Sequence, residues 1–120
     1  MMQTPQQFTG KTYEKRACAY LEQQGLILVE RNFSCRRGEI DLIMRDKSSI
    51  VFIEVRYRRH DRFGSAMESV NSHKQKRLIL TAQHYLLQTG TPLNSRFDVV
   101  AISGVEPEIS IEWIQNAFGT

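Results

Sequence analysis

Two acidic residues, Asp41 and Glu54, stand in segments that are otherwise apolar, and their type and spacing could support chemistry. They lie in the runs 38–43 (GEIDLI) and 51–56 (VFIEVR). Two carboxylates placed together on a half-buried sheet repel each other unless a cation lies between them. We therefore expect a divalent metal ion between Asp41 and Glu54.

The two runs are predicted to form an antiparallel hairpin, because residues 45–49 are the one polar break between them. One strand register makes one face of this hairpin wholly apolar. On the other face it puts Asp41 opposite Glu54, and Glu39 opposite Arg56. A slip of one residue would mix carboxylates into the apolar face. In this register Asp46 pairs with Ser49 at the turn. The apolar face is then formed by Met44 opposite Val51, Leu42 opposite Ile53 and Ile40 opposite Val55.

A carboxylate pair beside a cation matches the needs of metal-assisted phosphodiester hydrolysis. Glu54 and Arg56 are two residues apart, so on a strand they share a face. Hard carboxylate oxygens suit Mg²⁺, with Mn²⁺ as the alternative, and Mg²⁺ is usually bound by one or two carboxylates plus waters and phosphate. The metal lowers the pKa of a bound water, and a neighbouring cation orients that water or stabilises the phosphate oxygens.

These residues must be positioned by a small number of elements, predicted in the order α-β-β-β-α-β-β. Helices are expected over residues 10–24 and 72–88, where apolar residues recur at helical spacing, with Ser72 as the cap of the second. That second helix is a natural crossover, which allows the strands on either side of it to run parallel. Besides the hairpin, strands are expected over 26–32, 96–102 and 109–111, a loop over 58–71 with a helical turn at 65–70, and a terminal turn or helix over 113–118.

The predicted fold class is α/β, with a mixed β-sheet of about five strands flanked by helices. The 120 residues suffice for one domain, expected over 10–118 after a flexible N-terminus at 1–9. No apolar run approaches membrane-spanning length and no secretory signal opens the chain, which predicts a cytoplasmic protein without a membrane partner. Cys18 and Cys35 have neither metal-site nor disulfide-framework spacing.

Basic residues concentrate in the stretch that follows the carboxylate pair. The chain has 16 Lys and Arg against 13 Asp and Glu, a net charge of +3, which alone is a weak sign of a polyanionic partner. A solvated loop and helix face would have the same composition, but contiguity with the acidic site favours a track for a phosphate backbone. The residues expected to bind nucleic acid are Arg58, Arg59, Lys74, Lys76 and Arg77.

At this point the residues resemble a known family. The spacing of Glu14, Asp41 and Glu54-Val55-Arg56 resembles the PD-(D/E)XK nuclease superfamily. The runs 38–43, 51–56 and 96–101 (RFDVVA) look more closely like the YraN family of small bacterial proteins, which is related to archaeal Holliday-junction resolvases. The resemblance covers roughly residues 10–118. It implies a restriction-endonuclease-like core with a Mg²⁺ site at Asp41 and Glu54, the Val55 carbonyl as a further ligand, and Glu14 acting through water or on a second metal.

The chain departs from the superfamily pattern at Arg56, where the motif has lysine. Arginine is not a usable general base, but Arg56 could hold the scissile phosphate through two hydrogen bonds. Alternatively, Lys74 or Lys76 reaches in from the first turn of the second helix, where a cation opposes the helix macrodipole and so suggests a use. In a third alternative the site binds metal weakly and cuts nothing.

Three hypotheses about function follow. The first is a Mg²⁺-dependent endonuclease of DNA; the resemblance alone suggests branched repair or recombination intermediates, and symmetric cutting of two strands would need a homodimer. The second is a non-catalytic nucleic-acid-binding module that retains a nuclease fold. The third is a protein-interaction scaffold.

Each candidate residue also has a purely structural interpretation. Asp41 and Glu54 could form a salt-bridge cluster with Arg56 or Arg58, and Glu14 could be an exposed helix residue. Glu39 is expected to pair with Arg56 or be solvated. Asp98 is expected to be structural, hydrogen-bonded or paired with Arg96, and Trp113 to lie in the core.

Overall fold

The structure is a computed structural model that describes residues 5–59, 70–90 and 94–119, with side chains from Gly10 onward. The predicted order of elements is confirmed. It comprises α1 (Pro5–Gln23), β1 (Ile27–Cys35), β2 (Gly38–Asp46), β3 (Ser49–Arg58), α2 (Ser72–Thr89), β4 (Asn94–Val105) and β5 (Glu108–Phe118).

The strands form one mixed five-stranded sheet in the order β1-β2-β3-β4-β5. Neighbouring strands are antiparallel except β3 and β4, which are parallel and joined by the α2 crossover, as predicted. With a helix packed on each face, this is the α/β fold expected for a restriction-endonuclease-like core. No helix in the described ranges combines the length and apolarity that a membrane span requires.

Several boundaries differ from the prediction: β1 ends at Cys35 rather than at residue 32, and β4 spans Asn94–Val105 rather than 96–102. The first helix begins at Pro5 rather than Gly10. The segment 113–118 is not a turn or helix but the end of β5, which pairs with β4 as far as Phe97 and Phe118. The long apolar β4 offers that segment a partner, and strand formation depends on such tertiary context more than on local preference. The helical turn predicted at 65–70 falls almost wholly outside the described residues.

The hairpin register is confirmed for the pairs Asp46–Ser49, Met44–Val51 and Leu42–Ile53. This register sends alternate side chains to the two faces of the sheet, and each face is covered by one helix. The buried cluster under α1 contains Ala17, Cys18, Leu21, Leu26, Leu42, Met44, Val51, Ile53, Val100 and Ile102. The buried cluster under α2 contains Phe33, Ile40, Ile43, Ile50, Phe52, Val70, Leu78, Ala82, Tyr85, Phe97 and Val99.

Ile40 was predicted on the face of Leu42 but lies in the cluster under α2, so the wholly apolar face extends only to Leu42. Its partner on β1 is Phe33, which follows Asn32. Asn32 has a φ of 52°, in the left-handed region that extended strands avoid. The regular alternation of side chains breaks there, and both Phe33 and Ile40 turn toward α2.

The N-cap of the second helix lies one residue earlier than predicted. Asn71, not Ser72, is the N-cap, and its side-chain oxygen accepts a hydrogen bond of 2.9 Å from the backbone N–H of Lys74. Gly90 ends the helix with a φ of 64°, as the sequence predicts. The cap matters for the site because it places Lys74 in the first turn of α2.

Asp98 lies on β4 beside Ile53 of β3, and its contacts confirm its structural interpretation. Its buried carboxylate accepts hydrogen bonds from the Arg96 guanidinium (3.0 Å), the indole N–H of Trp113 (2.9 Å) and the backbone N–H of Asn116 (2.9 Å). Trp113 itself packs against the cluster under α1. The buried carboxylate of Asp98 is therefore satisfied by hydrogen bonds within the fold, which distinguishes it from Asp41 and Glu54.

Candidate functional site

Four acidic residues from three elements meet near the start of β2. Glu14 comes from α1, Glu39 and Asp41 from β2, and Glu54 from β3. A cavity of about 240 Å³ opens beside them. Its lining consists of Gly38, Glu39, Asp41, Glu54, Lys74, Arg77 and Leu78; we call it the carboxylate cavity.

Asp41 is held by the backbone of the neighbouring strand. The β2–β3 ladder runs from Asp46–Ser49 to Leu42–Ile53. Beyond it, the carboxylate of Asp41 accepts a 2.8 Å hydrogen bond from the backbone N–H of Val55. A side-chain oxygen thus takes the place that a backbone carbonyl would have in a continued ladder. This bond fixes the Asp41 carboxylate beside β3, next to Glu54.

Burial and the neighbouring Glu54 change the ionisation of Asp41. Burial raises the pKa of Asp41, and the adjacent charge of Glu54 raises it further, while the N–H of Val55 lowers it; the result is a pKa of about 8 against an ordinary value of 3.8. Glu54 is only 7% exposed. Two carboxylates this close cannot both ionise cheaply without a cation. The predicted juxtaposition of Asp41 and Glu54 is therefore present, with the electrostatic consequence that motivated it.

A cation of the protein lies beside Glu54. The ammonium Nζ of Lys74 is 3.7 Å from the Oε1 atom of Glu54. Lys74 is half-buried and lines the carboxylate cavity together with Arg77. Lys76, two residues further along α2, is exposed and does not line it.

Glu14 joins the site through Asn32. The side-chain amide of Asn32 donates to Glu14 at 2.8 Å and to Glu39 at 3.1 Å. The pKa of Glu14 is raised, first by burial and then by the charges of Asp41 and Glu39, against the lowering effect of the Asn32 amide. Glu39 is thus engaged by Asn32, not by Arg56 as the continued register predicted. The left-handed φ of Asn32 turns its amide toward both acids, and no signal in the sequence marked this role.

The position of Glu14 depends on how α1 packs against the sheet. The preceding residue, Tyr13, stacks its ring on that of Tyr57 at the end of β3, with a centroid distance of 3.9 Å. Ala17, one turn further along α1, is fully buried. Glu14 therefore sits at the edge of the buried face of α1, where its carboxylate can reach the acids of β2.

Arg56 occupies a different place from the one the motif suggests. It shares a face with Glu54, as predicted, but it is absent from the lining of the carboxylate cavity. It instead lines a second cavity of about 360 Å³ over the ends of β3, β4 and β5. That lining consists of Arg56, Arg58, Ala101, Ile102, Ser103, Ser110, Ile111 and Glu112; we call it the arginine cavity.

The predicted basic track is spread over several places. Lys74 and Arg77 lie at the carboxylate cavity, Arg58 lies at the arginine cavity, and Arg59 and Lys76 are exposed. The turn between β1 and β2 adds two arginines that the nucleic-acid prediction omitted, Arg36 and Arg37. They line a further cavity of about 400 Å³ with Cys35 and His84. The carbonyl of Arg37 accepts a 3.3 Å hydrogen bond from Arg77, which ties this turn to α2.

The donor set at the carboxylate cavity suits a hard cation. In the described ranges, no three His, Cys, Asp or Glu side chains converge as metal ligands. Asp41 and Glu54 form a pair instead, and Mg²⁺ is typically held by one or two carboxylates with water and phosphate completing its shell. Burial and the charge of Glu54 raise the pKa of Asp41, and a bound cation would oppose both effects. The residues therefore fit Mg²⁺.

Comparison with known proteins places these residues within one family. Residues 13–102 match the model of the Uncharacterised protein family UPF0102. The chain is 53% identical over 111 residues to a UPF0102 protein of Nitrosococcus oceani, covering 91% of this chain and 90% of that protein. It is 50% identical over 116 residues to one of Alcanivorax borkumensis (92% and 90%), and 45% identical over 122 residues to one of Pseudomonas syringae pv. syringae (98% and 98%).

Without metal, the free energy of unfolding is predicted to fall as the pH rises from about 5 to about 8. In this range the folded state keeps on Asp41, with its pKa of about 8, a proton that the unfolded state has lost, so stability declines with pH. One such group contributes at most about 1.4 kcal/mol per pH unit. Urea unfolding in EDTA across this range measures the slope.

The matched control is Asp41→Asn, which retains an oxygen that can accept from Val55 but cannot ionise. Its free energy of unfolding should change less with pH and exceed that of the wild type near pH 8. Glu14 adds a slope in the same direction, which should survive in this variant. A wild-type stability that is flat or rises over this range would contradict the proposed state of Asp41.

Proposed function

The chain belongs to the Uncharacterised protein family UPF0102, and from that premise and the geometry of its carboxylate cavity we propose that it is a Mg²⁺-dependent endonuclease of DNA. The observation that carries the proposal is the juxtaposition of the buried Glu54 with the partly buried Asp41, whose pKa is raised by burial and by the charge of Glu54. A pair of this kind costs stability in the isolated fold. A divalent cation would relieve that cost, and the pair's place in an open cavity leaves room for a phosphate.

Asp41 and Glu54 would hold the metal through their carboxylates, with the carbonyl of Val55 as the third protein ligand and Mn²⁺ able to replace Mg²⁺. A Mg²⁺ ion bound there supplies a coordinated water of lowered pKa and neutralises charge that develops on the phosphate. The hydrogen bond from Val55 to Asp41 keeps the first ligand in place. Because that bond is made by the backbone, the ligand geometry does not depend on another side chain.

Lys74 is the cation best placed to act at the scissile phosphate. Its ammonium lies 3.7 Å from Glu54 and lines the same cavity, whereas Arg56 lies in the arginine cavity. This placement favours the alternative in which a lysine from α2 replaces the motif lysine of the superfamily. As a compact point charge, the ammonium can orient a water or contact a phosphate oxygen. Glu14, held through Asn32, would position a second water.

The partner proposed for this site is DNA. Lys74 and Arg77 line the cavity, and Arg36 and Arg37 extend the positive surface across the β1–β2 turn; Arg58, Arg59 and Lys76 would add contacts with the phosphate backbone. A preference for branched repair or recombination intermediates rests on the resemblance to Holliday-junction resolvases. One site cuts one strand, so symmetric cutting of a junction would require a homodimer. We place this activity in the cytoplasm, as the sequence predicts.

The second candidate function is a DNA-binding module that cuts nothing. The position of Arg56 favours it, because the cation that the superfamily motif places beside the metal lies in another cavity. The two candidates differ only in catalysis, so one set of assays separates them.

Cleavage is predicted to require both carboxylates. Labelled duplex, flapped and four-way-junction DNA would be incubated with the protein in Mg²⁺, Mn²⁺ or EDTA. Because each carboxylate is a metal ligand, Asp41→Asn and Glu54→Gln should each lower the cleavage rate by at least about 100-fold. Asp46→Asn, on the same strand but outside the cavity, is the control and should cut at the wild-type rate.

Cutting that survives both changes would contradict the proposed site. DNA binding without cutting, even in Mn²⁺, would leave the second candidate. Failure to bind any of these DNAs at low salt would exclude both functions.

Lys74 and Lys76 form a matched pair that tests the role of the first helical turn. Lys74→Gln is predicted to lower the cleavage rate constant at saturating DNA by about 100-fold, since it removes a charge that stabilises the transition state. Lys76→Gln removes the same charge from an exposed position two residues away and should mainly weaken DNA binding. Single-turnover kinetics with both variants separate rate from affinity. Equal effects of the two changes on the rate constant would contradict the role given to Lys74.

A further inference from the structure

The arginine cavity is a second polar site that the proposed catalysis does not use. It opens on the same face of the sheet as Glu54, over the ends of β3, β4 and β5, and measures about 360 Å³. The parallel and antiparallel ladders place Arg56 beside Ala101 and Ala101 beside Glu112, and likewise Arg58 beside Ser103 and Ser103 beside Ser110. Polar side chains of three adjacent strands thus converge on one cavity.

Arg56, which lines this cavity, carries a donor that the described residues leave unsatisfied. Its Nε atom is buried and, within the part of the chain that the structure describes, has no hydrogen-bond partner. Buried polar atoms are rarely left in this state, because the lost hydrogen bond with water is not replaced. By contrast, Arg96, another partly buried arginine, donates hydrogen bonds to Asp46 and Asp98.

The chemistry of the lining favours an anion with several oxygens. Two guanidinium groups, Arg56 and Arg58, face one carboxylate, the exposed Glu112, so positive charge predominates. Ser103 and Ser110 add hydroxyl groups that can donate. A guanidinium presents parallel N–H groups that match two oxygens of a phosphate. A phosphate ester fits this lining better than an apolar or cationic ligand does.

The site also lies at a defined offset from the carboxylate cavity. Arg56 follows Glu54 by two residues on the same strand and the same face, a separation of roughly 6.6 Å along the strand. A chain of phosphates that enters one cavity can therefore continue into the other without crossing the sheet.

We propose that the arginine cavity binds a backbone phosphate of the DNA strand that is cut, next to the phosphate held at Asp41 and Glu54. This inference rests on the proposed function for the identity of the ligand, but phosphate binding at Arg56 can be measured without cleavage. Arg56 is in this view a positioning residue, which sets where along the strand the metal site acts.

The first experiment uses inorganic phosphate in EDTA, with thermal unfolding and ³¹P NMR line width as the readouts. Phosphate should raise the unfolding midpoint of the wild type, because a ligand of the folded state stabilises it. Arg56→Gln should weaken phosphate binding by about tenfold, and Arg56→Lys should do nearly the same, since lysine lacks the planar fork. The exposed-arginine control Arg45→Gln should bind phosphate as the wild type does.

Unchanged phosphate binding in Arg56→Gln would overturn the inference, as would an equal loss in Arg45→Gln. Both arginine variants must keep the wild-type unfolding midpoint without phosphate; removal of an unpartnered buried donor is not expected to lower it. If Arg56→Gln fails to fold, the double variant Arg56→Lys/Ser110→Ala replaces it. Phosphate binding by this double variant at the wild-type level would overturn the inference.

The second experiment distinguishes a DNA phosphate from free phosphate. The logarithm of DNA affinity is plotted against the logarithm of salt concentration, and Arg56→Gln should reduce the slope by about one relative to wild type and Arg45→Gln. It should also shift the position of the cut along the strand.

If the carboxylate variants abolish cutting while Arg56→Gln keeps the wild-type slope and cut position, the inference fails and the proposed function stands. If phosphate binds through Arg56 but no DNA is cut, the arginine site stands and the nuclease proposal fails.

Discussion

The structure of this site depends on one hydrogen bond, between the carboxylate of Asp41 and the backbone N–H of Val55. It forms where the hairpin ladder ends, and it holds one carboxylate beside the buried Glu54. Because the donor belongs to the backbone of β3, the two acids keep their separation despite their repulsion. Burial first, and then the charge of Glu54, raises the pKa of Asp41, and the rest of the fold must offset the cost of holding the two acids together.

Both layers of the fold contribute to that offset and to the site. The packing of α1 on its buried cluster places Glu14 near the acids of β2. There the amide of Asn32 donates hydrogen bonds to both Glu14 and Glu39. The cluster under α2 fixes the start of that helix, and the Asn71 cap sets Lys74 in its first turn, 3.7 Å from Glu54. A basic first turn opposes the helix macrodipole, and Lys74 lies there beside a buried carboxylate. Asp98, by contrast, has its carboxylate engaged by hydrogen bonds from Arg96 and Trp113.

Much of this arrangement could be predicted from the sequence, because apolar residues at alternate positions determine strand register. The alternating apolar pattern predicted the hairpin and its register, in which Met44 pairs with Val51 and Leu42 with Ile53. That register also predicted that Asp41 and Glu54 lie side by side. The position of Ile40 could not be predicted in this way, since it depends on the left-handed Asn32 in the neighbouring strand. The same residue brings Glu14 and Glu39 together, a contact between distant segments that no local pattern encodes. Strand periodicity placed Arg56 on the face of Glu54 correctly, but the existence of a separate cavity depends on β4 and β5.

Asp41 and Glu54 are proposed to bind a divalent cation, and calorimetry of Mn²⁺ binding tests this proposal most directly. A group with a pKa of about 8 is about nine-tenths protonated at pH 7, and a metal ligand must lose that proton. Titrations in two buffers of different ionisation enthalpy should therefore show release of nearly one proton per Mn²⁺ at pH 7, declining toward zero well above pH 8. Asp41→Asn should abolish the release. Absence of Mn²⁺ binding, or binding by the wild type with no proton released at pH 7, would contradict the account.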